Sequence, residues 1–335
     1  YTLDLAVRRD GNSRFGEENR WQTYGRASFG WLMAREEWFP SDFLTTFTLR
    51  ASYGTAGRAP SFSAQYETYS IGSGGTLSAV TQGNPKLRPE VTRELEVSAE
   101  IGILNRAQLQ VAYANALTTD QILPVPVPVA TGFPQQWQNA GSLRNKTLEG
   151  ALSLPIVQGQ NFSWMATATY TRTRTTIEEL NVAPFFIGTS LQATDQFIRI
   201  AEGEEFGTIY GRKFMRSCSE LPADWQSRCG PGKDFQLNDE GWLVWVGAGN
   251  NPGMGITDNL WNAVLPEDES PWPGVPLSWG MPVLIRDETG TPMSLPLGNA
   301  LPDYQVGMSH TLSYGKFTLY ALIDGSFGRD VWNQG

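Results

Sequence analysis

Cys218, Cys229 and His310 are the only Cys and His side chains in the chain. A zinc centre draws on four such ligands, and here the cysteine pair has no suitably spaced second pair and the histidine lies far along the sequence, so a Cys/His metal site is excluded. Hard oxygen ligands gather at Glu202-Gly203-Glu204-Glu205 and at Glu267-Asp268-Glu269. Neither has the spacing of a calcium-binding loop, and both read as solvated surface. Asp234 and Glu240 are the carboxylate pair on which acid/base hydrolysis would rest. Flat aromatic faces are the more abundant resource. Trp225, Trp242, Trp245, Trp261, Trp272 and Trp279 are half of the chain's 12 tryptophans and fall in one Pro- and Gly-rich stretch. Such faces stack on sugar rings or anchor a protein interface, and the alternative is a small core of their own. With Tyr66 and Tyr69 they form the candidate set for contact with a substrate or partner. No residue is assigned a catalytic, cofactor-binding or metal-binding role.

What must position these groups is a chain of 335 residues with net charge −9, 18% charged and 12% aromatic residues. That balance is unlike a disordered chain. The acidic excess, without any run of Lys or Arg, leaves no electrostatic footprint for nucleic acid. No apolar stretch approaches the roughly 18 to 20 residues of a spanning helix, so any meeting with a membrane is made by strands. Tyr1 to Val7 carries no initiator Met or signal core and already alternates, which reads as a cut inside a larger protein.

The alternation has period two throughout. Thr46 to Tyr53 sets Phe47, Leu49, Ala51 and Tyr53 against Thr46, Thr48, Arg50 and Ser52. Glu94–Ile101, Gln108–Tyr113, Phe162–Tyr170 and Phe317–Ala321 repeat the pattern. Short links near 36–44, 104–106, 158–161 and 314–316 alternate with longer ones near 12–20, 57–89, 123–138 and 181–302. An antiparallel meander with tight turns at one end and long loops at the other is what a transmembrane β-barrel produces. About ten strands fit. A soluble sandwich or propeller shows the same alternation. Three details favour the barrel: a strongly polar second face, an apolar face free of charge in the segments named, and aromatics at strand ends such as Trp21, Phe29, Trp31, Trp38, Phe39, Phe43 and Tyr53. His310, in step with Met308 and Leu312, falls on the outward face as a neutral interfacial side chain.

Several stretches resemble the C-terminal barrel region of SusC/RagA-type TonB-dependent outer-membrane transporters. They are Arg8-Arg9-Asp10-Gly11-Asn12-Ser13-Arg14-Phe15-Gly16, Leu49-Arg50-Ala51-Ser52-Tyr53-Gly54 with Gly57, Gly83-Asn84-Pro85-Lys86-Leu87-Arg88-Pro89-Glu90 with Glu94, and Asn139-Ala140-Gly141 with Asn145, Lys146 and Glu149. Pro302-Asp303-Tyr304 with Gly307, then Asp324-Gly325, Gly328, Val331 and Asn333, continue the match. Thr147 departs from it, standing where the family usually has Gly. The resemblance implies an all-β fold, an antiparallel transmembrane barrel present as roughly the second half of about 22 strands. Residues 1–335 would be the C-terminal portion of the barrel and 181–302 a long extracellular insertion. It further implies the bacterial outer membrane, energy from TonB with ExbB and ExbD, a SusD-like surface lipoprotein as lid, and import of oligosaccharide or peptide without enzymatic chemistry. In an oxidising envelope Cys218 and Cys229 are expected to form a disulfide, the alternative being two free thiols.

Three other readings compete. A siderophore or cobalamin receptor of the same architecture would lack the lidding lipoprotein. A secreted β-sandwich or propeller acting on glycans would be soluble without detergent and use a pair such as Asp234 and Glu240. A passive porin or adhesin would leave its lumen open.

Overall fold

The computed structural model describes residues 1–15, 19–39, 43–188, 197–247 and 264–331. Its strands are β1 (Thr2–Gly11), β2 (Trp21–Leu32), β3 (Leu44–Arg58), β4 (Thr68–Ile71), β5 (Leu77–Thr81), β6 (Glu90–Ile103), β7 (Ala107–Pro126), β8 (Gln135–Gln158) and β9 (Phe162–Leu180). The short strands β10 (Phe185–Ile187), β11 (Ile198–Ile200), β12 (Thr208–Gly211), β13 (Phe235–Leu237), β14 (Leu243–Trp245), β15 (Val264–Leu265), β16 (Leu277–Ser278) and β17 (Leu295–Asn299) follow. Last come β18 (Tyr304–Tyr314) and β19 (Phe317–Phe327). Two compact units result, one of residues 1–208 with 299–335 and the other of residues 209–298.

In the first unit a nine-stranded antiparallel sheet runs β1-β2-β3-β6-β7-β8-β9-β18-β19, in line with the count of about ten read from the sequence. Because side chains alternate and neighbouring strands pair in register, one face of the sheet can be followed from strand to strand. Phe29 lies opposite Ala51, Ala51 opposite Val97, Val97 opposite Tyr113, and Tyr113 opposite Leu148. On the same face, Ala168 faces Met308, which faces Ile323. Covering a sheet's greasy face normally requires a second layer. Here Leu3, Val97, Tyr113, Leu148, Met308 and Ile323 are all exposed. The opposite face carries Glu96, Ser98 and Glu100 on β6 against Gln110 and Ala112 on β7. Hydroxyl pairs cross the strands there, as between Thr92 and Thr118 at 2.8 Å and between Ser153 and Thr167 at 3.1 Å. Among the described residues none forms the second layer that a soluble sandwich would need over this face.

The links differ from expectation in one respect. Pro124, Pro126 and the run to Gln138 read as a loop, yet Leu123–Pro126 pairs with Gln135–Gln138, so β7 and β8 continue well past their neighbours. Proline is compatible with strands wherever its missing N–H is not required by the ladder. Thr147, the departure from the family pattern, sits in ordinary extended backbone on the polar face, its hydroxyl 3.1 Å from that of Thr173.

The second unit has the opposite organisation. Met215, Phe235 and Leu243 are fully buried with Trp272 and Val283 around them. Backbone bonds stitch this core together: Met215 N–H donates to Val283 O at 2.8 Å, Leu243 N–H to Met215 O at 2.7 Å, and Val283 N–H to Leu243 O at 2.8 Å.

Candidate functional site

Two of the hollows on the polar face of the wall are lined by charged and amide side chains. One, of about 660 Å³, is lined by residues that include Arg58, Ser63, Tyr69, Glu90, Gln121 and Trp137. It exists because the connection between β3 and β6 does not leave the sheet but is pinned back onto the β7–β8 extension. Asn84 Nδ2 donates to Trp137 O at 2.8 Å, and Gln136 Nε2 donates to Gly83 O at 3.0 Å. Asn139 accepts from Arg88 N–H at 2.9 Å while its Nδ2 donates to Arg88 O at 2.9 Å and to Asp120 O at 2.7 Å. Arg88 forms an ion pair with Asp120. Two glycines beside this network allow tight backbone contacts, Gly83 with Gln65 and Tyr66 of the same connection and Gly141 with β9. A Cβ on Gly83 would lie 2.5 Å from Gln65 O, and one on Gly141 would lie 2.2 Å from Glu179 O. The Gly83–Glu90 and Asn139–Gly141 motifs are thus two halves of one clasp.

Glu90 is buried at the clasp, its Oε1 accepting from Gln121 Nε2 at 3.0 Å and from Ile122 N–H at 2.9 Å. A buried carboxylate satisfied by local donors is structural. Above it, exposed aromatics project from the long connections. Tyr66 packs on Phe62 with ring centroids 5.4 Å apart, and Tyr69 on Phe133 at 5.6 Å. Tyr69 donates to Glu67 at 2.9 Å, and holding its proton on that carboxylate raises its pKa above the usual phenol value. The second hollow, of about 410 Å³, is lined by Arg50, Glu96, Glu100, Gln110, Glu149 and Thr169 among others. Arg50 pairs with Glu100 at 3.2 Å, to which Gln108 also donates at 2.7 Å. This is a wet, carboxylate-rich surface suited to hydrogen-bonding polar solutes.

In the other unit the tryptophans divide. Trp245 and Trp272 are 7% and 2% exposed and belong to its core, so they turn no face to solvent. Trp225 and Trp279 are half-buried against that core. Trp242, also half-buried, packs on Phe214 at 5.3 Å, and Trp261 lies outside the described residues. Arg228 stacks 4.2 Å over Trp225 while its Nε donates to Asp234 at 2.5 Å. Asp234 is thereby committed to an ion pair, and Glu240 is exposed. Cys218 and Cys229 form a disulfide with Cα atoms 5.6 Å apart. It closes a segment that opens with a 3₁₀ turn, Cys218–Glu220, capped by Ser217 and Glu220 in a reciprocal capping box. Arg286 is half-buried beside Trp272, and desolvation followed by the nearby Arg212 charge lowers its pKa. Asp287 lies below the usual carboxylate range because its Oδ1 accepts from Thr289 Oγ1 at 2.7 Å and from the Thr291 and Thr289 backbones.

Of the two acidic clusters the first is held in ion pairs, while Glu267, Asp268 and Glu269 are exposed. Glu204 pairs with Arg199 at 2.9 Å and Glu205 with Arg174 at 3.0 Å, and among the described residues no group of three or more His, Cys, Asp or Glu side chains is placed to hold a metal ion. His310 accepts at Nδ1 from Trp164 Nε1 at 3.1 Å, which accounts for it as an outward-facing partner of that indole. The clasp as a contact network is not legible in the sequence, although its asparagines and glycines belong to the motifs named above; Asn84 and Asn139 find partners 53 and 51 residues away, beyond the reach of local pattern.

Residues 1–250 match the family described as TonB dependent receptor-like, beta-barrel. "TonB-dependent receptor P26" of Formosa agariphila is 26% identical over 99% of this chain and 31% of its own length. "TonB-dependent receptor SusC" of Bacteroides thetaiotaomicron is 27% identical over 49% of this chain and 18% of its own. Among solved structures, the RagAB peptide transporter superposes with a TM-score of 0.66 at 20% identity, covering 97% of this chain and 31% of that one. The chain therefore spans about a third or less of the length of these relatives.

Proposed function

This chain belongs to the TonB-dependent receptor-like β-barrel family, whose members are outer-membrane β-barrel proteins, and on that premise we propose that it forms wall and surface loops of an active nutrient importer. The observation that carries this reading is the register-continuous apolar face left exposed among the described residues, backed by an opposite face that is polar and hollowed. Hydrocarbon is the environment in which the first face is stable, and water in a lumen suits the second.

The substrate class we assign is oligosaccharide or peptide. Supporting this are the carboxylate- and amide-lined hollow, the exposed Tyr66 and Tyr69 above the clasp, and the names of two relatives, a SusC receptor and a peptide transporter. Residues 181–302 are the extracellular insertion on this reading, with its half-buried tryptophans Trp225, Trp242 and Trp279 offered to substrate or to a SusD-like lipoprotein lid. Transport is driven by TonB with ExbB and ExbD.

The test is uptake by the full-length protein in cells. Growth on a defined oligosaccharide or peptide mixture is expected to require both this protein and an energised inner membrane, and affinity purification is expected to bring down one surface lipoprotein. Uptake that survives collapse of the proton-motive force would point to a passive pore. A growth defect confined to iron-limited medium would point to a siderophore receptor.

A further inference from the structure

We propose that the outward face of the wall carries a binding site for the phosphates of an anionic lipid, built on Arg93, Lys146 and Arg172. The register places it. Leu148, on the apolar face, lies opposite Arg172; two residues on, Lys146 lies opposite Arg174 on one side and Asn115 on the other. Arg93 follows Leu95 and Val97 by the same alternation and sits between Thr55 and Leu117, and Arg144 lies opposite Leu117 on the next strand. The cations therefore share one face across β6, β8 and β9, and Arg9 joins them on β1, exposed and 5.4 Å over the Trp21 ring. All lie toward the end of the sheet from which the long connections leave. Outward positions nearer the tight turns, such as Leu49, Ala99, Val111, Ala168, Met308 and Ile323, carry no charge.

Their charges are only partly met. Arg144 pairs with Glu178 at 2.7 Å and Arg174 with Glu205 at 3.0 Å. Arg93, Lys146 and Arg172 are exposed and form no ion pair among the described residues. Three cations without an ion pair, of which Lys146 feels the Glu178 charge only beyond contact distance, lie on a surface continuous with an uncovered apolar band and call for a ligand that is both anionic and anchored beside hydrocarbon. The depth agrees. Tyr170, Tyr304 and Phe327 stack in succession at 6.0 and 5.1 Å beside Arg172, and aromatic side chains of this kind mark the boundary between hydrocarbon and headgroups. Long basic side chains at that level extend toward phosphates while their stems stay on apolar surface. The donors lie on β6, β8 and β9 with β7 between the first two, so at about 4.8 Å per strand step they spread over about 14 Å, which fits a headgroup with more than one phosphate.

This inference rests on the membrane reading of the wall, so its test separates the two. The full-length protein, delipidated in a nonionic detergent, is titrated with diphosphoryl lipid A and with the same lipid stripped of its phosphates, and bound lipid is read by native mass spectrometry. The phosphorylated form is expected to bind at least tenfold more tightly. The triple variant R93Q/K146Q/R172Q is expected to lose roughly a hundredfold of that affinity, about fivefold for each cation, with binding of the stripped lipid unchanged. Inorganic phosphate at millimolar concentration is expected to displace nothing, and displacement by it would overturn a lipid source. Equal binding of the two lipids by the wild-type protein overturns the site and leaves the wall standing, and this comparison decides the matter even if the triple variant does not fold. Failure to bind either lipid counts against the wall itself.

Discussion

Leu3, Leu5 and Val7 in the wall are 70%, 71% and 81% exposed, while Met215, Phe235 and Leu243 in the second unit are at 0%. Both regions are rich in apolar residues, and both fold by hiding them from water. The second unit does so conventionally, with tryptophans inside, a disulfide holding a short segment, and polar loops outside. Beyond a small core of Val125, Ala140, Ile177, Phe185 and Ile200, the wall leaves its apolar side chains exposed. Its alternation passes from strand to strand apart from register shifts between β3 and β6, β7 and β8, and β8 and β9, and its apolar face is left for another solvent. The comparison teaches that exposure alone does not mark an interaction patch: what distinguishes lipid-facing surface is that it is continuous across every strand and ends at aromatic and basic borders.

Substitutions should obey different rules in the two regions. The largest effect is expected from Trp272→Ala, which empties the centre of the second unit and should cost it ~3 to 5 kcal/mol, read by loss of protease resistance around residues 209–298. In the wall, Val111→Arg on the apolar face should cost ~2 to 4 kcal/mol in unfolding from vesicles, while Gln110→Arg one residue away should stay within ~0.5 kcal/mol. If the two wall variants were equally destabilised, the distinction between faces would fail.

Which of these rules is legible from sequence depends on how far the determining partner lies. Phe47, Leu49, Ala51 and Tyr53 announce their face within eight residues, because strand periodicity is local, and the tight turns can be placed from it. The β7–β8 extension is hidden by Pro124 and Pro126, which resemble loop residues until their cross-strand partners are known. The border cations escape the same reading because the apolar run on β9 ends at Tyr170, one alternation before Arg172. Nor can composition say that Trp245 and Trp272 point inward while Trp225 and Trp279 sit half-way out. Those assignments depend on packing between segments distant in the chain.

Two smaller effects sharpen the contrast. Cys218→Ser with Cys229→Ser should destabilise the second unit by ~3 kcal/mol and leave wall variants such as Val111→Arg unaffected relative to their own background. Asp287, held below its ordinary value by Thr289 and Thr291, favours the folded state above the unfolded carboxylate pKa, and that contribution is lost as pH falls through the lowered folded value. The variant Asp287→Asn should therefore reduce stability at neutral pH slightly and flatten the acid side of the second unit's melting profile, which a series of thermal melts from acid to neutral pH would register.

The most direct test of the central claim is to place single nitroxide labels at successive positions 108 to 113 on β7 of the full-length protein in lipid vesicles and measure collision with membrane-dissolved oxygen against a water-soluble nickel chelate. Labels at 109, 111 and 113 are expected to meet oxygen and avoid the chelate, and labels at 108, 110 and 112 to do the reverse. Shielding of 109, 111 and 113 from both reagents would mean that protein covers that face, and would contradict the assignment of the wall's apolar face to lipid.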